Sequence, residues 1–318
     1  MKKYVFYICS VSLFISCRYT DFQHPSPIAK SYIDEVITLL QNNSINKNQI
    51  NWGNFRNDVY RHGRGSKTIV DTYPSITYAI TKLGDNHSSF VANNLTPDTN
   101  DLKPLPILQD EIVPENIGYI RIGFCLGNEQ QSNDYINSAS KKILKQDNGN
   151  IKGWIVDLRG NFGGNMWPML AAIGPILGEG ILGYFVFPDN SFYPWSHKNG
   201  KVYDENGVWA QSTNTYHLKS PDPYVAILTD NFTASSGEAV AIAFKGRDKT
   251  KFFGSQTFGV STSNRSHTLS DSSRIILTES VLADRNKTKY GSCVYPDVKC
   301  QEKETLGKAI NWITSRHN

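Results

Sequence analysis

The chain has 318 residues, of which 39% are hydrophobic and 19% are charged, as is typical of a folded globular protein with a sizeable core. Its formal net charge is +4, and the lysines and arginines are scattered along the sequence. Composition therefore gives no reason to expect a nucleic-acid partner. The cysteines form no CxxC pair and no spacing with histidine that is typical of zinc sites, so we expect no metal and no other cofactor.

The first 17 residues have the features of an export signal. Met1-Lys-Lys3 is basic, Tyr4–Ser16 is apolar but too short to span a bilayer as a folded helix, and Cys17 follows directly. An apolar segment that ends in a small residue and a cysteine resembles a bacterial lipoprotein signal, which implies that Cys17 carries a lipid. A cleaved secretory signal and an uncleaved anchor are the alternatives. We expect export from the bacterial cytoplasm, with the lipid anchoring the protein to a membrane in the periplasm or at the cell surface.

The next part of the chain is predicted to be helical. Residues 18–27 are polar and are interpreted as a tether, whereas apolar residues recur at helical spacing over residues 28–90. The three predicted amphipathic helices are Ile28–Leu40, Asn51–Arg61 and Ile69–Leu83. Together they predict a small N-terminal helical subdomain. Residues 91–116 are polar and proline-rich, and we interpret them as a linker.

From residue 117 to residue 318, predicted strands alternate with predicted helices, which indicates an α/β core. The predicted strands are Ile117–Phe124, Gly153–Leu158, Gly183–Phe187, Tyr224–Thr229, Lys251–Phe253 and Arg274–Glu279. The predicted helices are Asn133–Leu144, Trp167–Leu177, Ser235–Lys245 and Thr305–Ser315. Residues 189–217, rich in aromatic residues, glycine, serine and asparagine, are interpreted as a long surface excursion or a hairpin.

Ser235 lies at the turn between a predicted strand and a predicted helix. Small residues around it allow a sharp turn, and a serine in this position is near free backbone N–H groups and the positive end of the helix dipole. Both features favour an oxyanion, so the position suits a nucleophile. However, Ser235-x-x-Glu238 is also a capping box, and from this stretch alone a helix cap is the better interpretation.

Other motifs also have chemical and structural interpretations. His87 lies in a polar loop, Leu-Gly-Asp-Asn-His87-Ser, and a second strand runs into Val-Asp157-Leu-Arg-Gly-Asn-Phe-Gly163-Gly164. Glycine pairs after a strand permit N–H groups to face an oxyanion, whereas internal pairing of Asp157 with Arg159 makes the same turn merely structural. Neither the dinucleotide fingerprint nor the P-loop is matched.

Two further short motifs, Thr257-Phe-Gly259 and Tyr295-Pro-Asp297, are each no more than a turn when taken alone. Taken in order, however, the four motifs and the capping-box stretch resemble the tail-specific, or C-terminal processing, serine peptidases and their tricorn-core and retinoid-binding relatives. The resemblance extends from about Ile28 to the C-terminus. It implies a crotonase-like (ClpP/crotonase) α/β core with an N-terminal helical part.

The resemblance also implies roles for particular residues and a class of substrate. Ser235 aligns with the nucleophile, and the backbone N–H of Ser236 with one oxyanion donor. Gly163 or Gly164 would supply the second donor. The implied substrate is a peptide or a protein. The sequence leaves the oligomeric state open.

The sequence departs from the processing-peptidase pattern in two ways. Val260 stands where that branch has a lysine base after Thr-Phe-Gly, and neither Lys245 nor Lys251 matches the position. In addition, residues 91–116 are too few for the usual PDZ domain, so the resemblance implies a member without one and without its grip on a peptide's C-terminal carboxylate.

The tricorn-like branch instead takes its base from a Gly-Asp-x-His segment, which His87 matches. The resemblance therefore implies a Ser–His pair in which an acid orients the second ring nitrogen of the histidine. We predict Asp284 as this acid, because a polar turn begins there, with Glu279 as the alternative.

Other functions on the same fold compete with peptide hydrolysis. One is a non-catalytic lipoprotein that binds a lipid or a peptide; the presence of the serine, histidine and glycine motifs together argues against it. Another is an acyl-CoA enzyme, but the sequence has no identifiable basic patch for the CoA phosphates, and export separates the protein from CoA. The sequence therefore predicts an exported serine peptidase.

Overall fold

The computed structural model describes residues 24–93, 108–213 and 215–316. The predicted signal with Cys17, most of the tether and more than half of the predicted linker lie outside these residues. No helix in the described part of the chain is both long enough and apolar enough to cross a membrane.

Three helices open the described chain and lie close to their predicted positions. They are α1 (Pro27–Asn43), α2 (Trp52–His62) and α3 (Tyr73–Lys82), the last preceded by a single 3₁₀ turn. Side-chain oxygens of Ser26 and Asn51 accept hydrogen bonds from the first turns of α1 and α2, and each thereby satisfies one backbone N–H that the helix leaves free.

The rest of the described chain forms two sheets and further helices. The strands are β1 (Ser89–Val91), β2 (Ile117–Arg121), β3 (Gly153–Asp157), β4 (Gly180–Val186), β5 (Phe192–Lys198), β6 (Lys201–Asp204), β7 (Gly207–Gln211), β8 (Tyr224–Thr229), β9 (Thr250–Gly254), β10 (Thr262–Thr268), β11 (Arg274–Asp284) and β12 (Val298–Lys299). The helices are α4 (Glu129–Gln146), α5 (Met166–Ala172), α6 (Gly174–Leu177), α7 (Ser236–Phe244) and α8 (Glu302–Thr314).

One sheet is parallel throughout, with the strand order β12-β9-β8-β3-β2. Its central strands are buried on both faces: α8 packs on one side, and α7 lies in the large core on the other. Every residue of α7 is buried, as befits a helix that is apolar around most of its circumference. The carboxyl ends of β3 and β8, which carry the glycine turn and the Ser235 turn, are neighbours at one edge.

The second sheet is antiparallel, with the order β1-β11-β4-β5-β6-β7 and β10 paired to β11. The segment predicted as an excursion or hairpin forms β5, β6 and β7. Trp209 has no partner in the register between β6 and β7, because Val208 pairs with Tyr203 and Ala210 pairs with Val202. It is therefore the extra residue of a β-bulge on the last strand of this order.

The N-terminal helices share their core with the antiparallel sheet. Buried residues of α1, α2 and α3 pack with Leu269 and with Ile275 and Leu277 of β11. The α/β class and the N-terminal helical region are therefore as predicted. The predicted helix Trp167–Leu177 is divided into α5 and α6, because Pro175 cannot donate the backbone hydrogen bond that would continue it.

Candidate active site

Ser235 sits in a strained turn between β8 and α7. Its backbone angles are φ 52° and ψ −116°, a combination that a residue with a side chain adopts only when its surroundings impose it. The turn is fixed on its strand side by Asp230, whose Oδ1 accepts the N–H groups of Phe232 and Thr233. A carboxylate therefore holds the loop that leads to Ser235, and the serine itself is partly exposed.

The carboxylate of Glu238 holds the other side of this turn. It is fully buried and accepts four hydrogen bonds. The N–H groups of Ser235 and Val260 donate to its Oε2. The Thr257 hydroxyl and the Gly259 N–H donate to its Oε1. Burial raises the pKa of Glu238, and these donors act against that rise. Glu238 thus joins the Ser235 turn to the Thr-Phe-Gly segment, and its contact with the Ser235 N–H is that of the predicted capping box.

The glycine turn packs directly against Ser235. A Cβ atom on Gly163 would lie 3.0 Å from the Cβ of Ser235, and one on Gly164 would lie 2.1 Å from the carbonyl oxygen of Cys125. Both glycines have positive φ angles, which strain any side chain, and at Gly164 the contact with the Cys125 backbone leaves no room for one. The Ser236 hydroxyl donates to the Gly164 carbonyl at 2.6 Å, which links the two turns.

The two glycines differ in what their N–H groups do. The N–H of Gly163 donates to the Asn161 side chain at 3.0 Å. Within the described residues, by contrast, the N–H groups of Gly164 and Ser236 donate no hydrogen bond. Of the two glycines predicted as alternatives, the geometry therefore favours Gly164 as a donor to an oxyanion.

The acidic residue of the glycine motif is structural. Asp157 is fully buried; its carboxylate oxygens accept from Nε and Nη2 of Arg159 at 2.9 and 2.6 Å, and Arg121 lies at 2.8 Å. Two guanidinium groups therefore neutralise this buried charge, as the internal-pairing interpretation of Asp157 and Arg159 expects.

His87 is held against the start of β10. Its Nδ1 lies 2.7 Å from the hydroxyl oxygen of Thr262, and its backbone oxygen accepts from Asn264. On its own loop, Asp85 accepts the His87 N–H. Burial lowers the pKa of His87 below its ordinary value of 6.5, and Asp85 partly offsets this effect.

The structure does not place either predicted acid beside His87. The carboxylate of Asp284 closes its own turn by accepting from the N–H groups of Asn286 and Thr288 and from the Tyr290 hydroxyl. The carboxylate of Glu279 lies 2.6 Å from Nε2 of His267. Both groups are thus engaged elsewhere, and a neutral hydroxyl, that of Thr262, occupies the position predicted for a carboxylate.

Lys245 also lies away from the position that a lysine base would need. The Val260 N–H donates to the same oxygen of Glu238 as the Ser235 N–H does, so the residue after Thr-Phe-Gly is close to the nucleophile. Lys245 instead reaches the Tyr295 carbonyl at 3.0 Å and lies over the ring of Phe252. Lys245 is thus engaged away from the position of Val260.

Ser235, Ser236, Gly164 and Thr262 line one open cavity of about 1220 Å³. This exceeds the roughly 300–1,000 Å³ that is usual for pockets that bind small molecules. Thr262 contacts His87, and Val260, two residues before it, donates to the carboxylate of Glu238. The segment from Val260 to Thr262 therefore connects His87 to the carboxylate that holds the Ser235 turn. The cavity thus holds a serine and, beside it, two N–H groups that donate no hydrogen bond among the described residues, and one of its lining residues, Thr262, contacts the imidazole of His87.

A model of the family described as "Peptidase family S41" matches residues 116–300, more than half of the chain. The chain belongs to peptidase family S41. Membership supports a serine peptidase that acts on peptides or proteins, and it agrees with the resemblance to the C-terminal processing peptidases.

Individual relatives cover nearly the whole chain. A nisin-resistance protein of Lactococcus lactis subsp. lactis is 28% identical over 297 residues, which are 92% of this chain and 88% of that protein. Among solved structures, a lipoprotein from Streptococcus agalactiae has a TM-score of 0.73 at 23% identity and covers 92% of this chain and 98% of its own. The photosystem II D1 C-terminal processing protease has a TM-score of 0.61 at 13% identity, with coverages of 89% and 96%. The two structures show that the S41 fold is shared.

Sequence reasoning missed the position of Thr262 next to His87. The strand that begins there, Thr-Ser-Asn-Arg-Ser-His-Thr, has no alternating apolar residues and was not predicted. The only available signal was its place two residues after Val260, in the segment already assigned to the active site by resemblance.

Proposed function

We propose that the protein is an exported serine peptidase that hydrolyses peptide bonds through an acyl-enzyme on Ser235, with His87 as the general base. The observation that carries the proposal is the strained Ser235 turn, with two unengaged N–H groups beside it in one cavity. Non-glycine residues in such backbone conformations cluster at functional sites, because the surrounding structure must stabilise them.

In the proposed reaction, Ser235 Oγ attacks the carbonyl carbon of the scissile bond while Nε2 of His87 takes the hydroxyl proton. The N–H groups of Ser236 and Gly164 stabilise the oxyanion, and each such donor contributes roughly 3–4 kcal/mol to the transition state. His87 then donates its proton to the leaving amine. A water molecule, deprotonated by His87, hydrolyses the ester and restores Ser235.

Thr262 has the role of orienting the base. A hydroxyl at Nδ1 can accept the ring N–H, and Nε2 then carries the lone pair that the reaction needs. Thr262 thus takes the place in which Asp284 or Glu279 was predicted. Because a hydroxyl is neutral, it does not raise the pKa of the imidazole as a carboxylate would.

Export and membrane anchoring through Cys17 are part of the same proposal. They are supported by the basic and apolar N-terminus and by the likeness to a solved lipoprotein. The substrate is proposed to be a peptide, and the name of the Lactococcus relative makes nisin the first peptide to test.

The proposal is tested by labelling with a fluorophosphonate, which reacts with activated serines. We expect the parent protein to be labelled, and we expect Ser235→Ala and His87→Ala to abolish labelling. His24→Ala is the matched control, because His24 is exposed at the start of the described chain. Mass spectrometry of nisin after incubation with the parent protein then tests this substrate. Failure of the parent protein to label would favour the non-catalytic binder, and normal labelling of His87→Ala would show that the base is misassigned.

A further inference from the structure

An exposed tryptophan on the sheet edge faces the cavity that contains Ser235. Trp209 is 52% exposed and is the extra residue of the β-bulge in β7. Bulges commonly redirect a side chain near a functional site. A large apolar side chain that is held open to solvent in a cavity is typical of a binding surface.

The indole of Trp209 is supported by a series of rings that leads into the core. Its ring stacks on that of Trp167, with centroids 5.7 Å apart and 17° between the planes. Trp167 meets Phe185 edge-on at 6.1 Å, and Phe185 lies 6.2 Å from the fully buried Trp195. We call Trp209, Trp167 and Phe185 the aromatic shelf. Because its inner end is anchored in the core, its outer face is preformed.

The aromatic shelf is continuous with the proposed oxyanion site. Trp167 lies in the first turn of α5, three residues after Gly164, and all three shelf residues line the same cavity as Ser235. Leu126 lines this cavity too; it is also exposed, and its Cδ2 would be 3.0 Å from a Cβ atom on Gly164. Apolar side chains therefore line the cavity both at the glycine turn and at the edge of the sheet.

We propose that the aromatic shelf is a subsite for a bulky apolar residue, aliphatic or aromatic, of the peptide whose scissile bond lies at Ser235. This deepens the proposed function and rests on it. An extended peptide advances about 3.3–3.6 Å per residue, so a side chain near the scissile bond reaches along the cavity wall. Burial of that side chain against flat rings removes apolar surface from water on both partners.

The test uses the inactive Ser235→Ala protein, so that binding is measured without cleavage. The probes are fluorescein-labelled decapeptides of alanine, serine and glycine in which a single leucine or phenylalanine is moved along the positions. Fluorescence anisotropy gives the Kd of each. We expect one position at which the bulky residue tightens Kd about tenfold over alanine.

Further substitutions in the same background assign this preference to the shelf. Trp209→Ala should remove the tenfold gain, and Trp209→Phe should keep most of it. Val208→Ala is the matched control, because Val208 precedes Trp209, is equally exposed and does not line the cavity. Equal urea midpoints show that each variant is folded.

The outcomes separate the subsite from the peptidase. If Trp209→Ala keeps the preference, or if no position of the parent prefers a bulky residue, the subsite is overturned whatever the labelling shows. A protein that binds through Trp209 but is not labelled at Ser235 supports the subsite and overturns the peptidase.

Discussion

Glu238→Gln should destabilise the protein and weaken the hydrogen bonds that hold the Ser235 turn, without changing the volume of the side chain. The carboxylate accepts from four donors, two at each oxygen, and an amide can offer an oxygen to only two of them. If the NH₂ group replaces Oε2, it faces the N–H groups of Ser235 and Val260, and neither can accept a hydrogen bond. If it replaces Oε1, the Thr257 hydroxyl can rotate and accept from it, which leaves the Gly259 N–H facing the NH₂ group and the Thr257 O–H without this acceptor.

The second orientation is therefore preferred and sets the magnitude. One partly buried N–H without an acceptor costs about 1–3 kcal/mol, and the two remaining bonds each weaken by about 1 kcal/mol when the charge is lost. We expect a loss of about 3–5 kcal/mol in the free energy of unfolding, a large fraction of the roughly 5–15 kcal/mol that is typical of folded proteins.

Urea denaturation measures this change, and the rate of fluorophosphonate labelling reports on the turn. Glu304→Gln is the matched control, because it removes an exposed carboxylate that pairs with Lys308 and lies in the first turn of α8, and it should change stability by at most about 1 kcal/mol. If the two variants unfold at the same urea concentration, the four donors do not depend on the carboxylate and the reasoning fails.

Three further changes probe the base and the glycine turn. Thr262→Val should slow labelling about five- to tenfold, which corresponds to the loss of one neutral hydrogen bond, whereas Thr262→Ser should be labelled at close to the parent rate. Equal labelling rates for the valine and serine variants would remove Thr262 from the mechanism. Burial lowers the pKa of His87 below 6.5, so at pH 6.5 and above most of the imidazole is neutral and can accept a proton. The labelling rate should therefore fall only below that pH, and Thr262→Asp should move the fall to higher pH; a parent midpoint above 6.5 contradicts this. Gly164→Ala should abolish labelling, since its Cβ would lie 2.1 Å from the Cys125 oxygen, whereas Gly307→Ala, on the exposed face of α8 with open space around it, should raise stability by about 0.5–1 kcal/mol.

The sequence predicted those elements whose apolar residues follow the period of their structure. Tyr224–Thr229 is a continuous apolar run and forms β8 with the predicted bounds, because a strand buried on both faces leaves a clear signal. β10 and β7 left none, although each pairs with the strand next to it in the chain, because β10 is polar throughout and β7 is almost entirely exposed.

The same distinction applies to the site. The Ser235 turn and the glycine turn each lie at a strand end, so local sequence and resemblance were enough to identify them. The neighbour of His87 depends on how a loop after α3 meets β10, which no local pattern encodes. A carboxylate was therefore expected where the structure has Thr262.

The contact between His87 and Thr262 joins residues 175 positions apart. At about 5–20 residues per second, the ribosome makes Thr262 roughly 9 to 35 seconds after His87. In the proposed mechanism, the base is not oriented until β10 pairs with β11 and the loop after α3 docks on it. The order of synthesis thus imposes a delay: in the proposed mechanism, a partly made chain with Ser235 already present still lacks an oriented base.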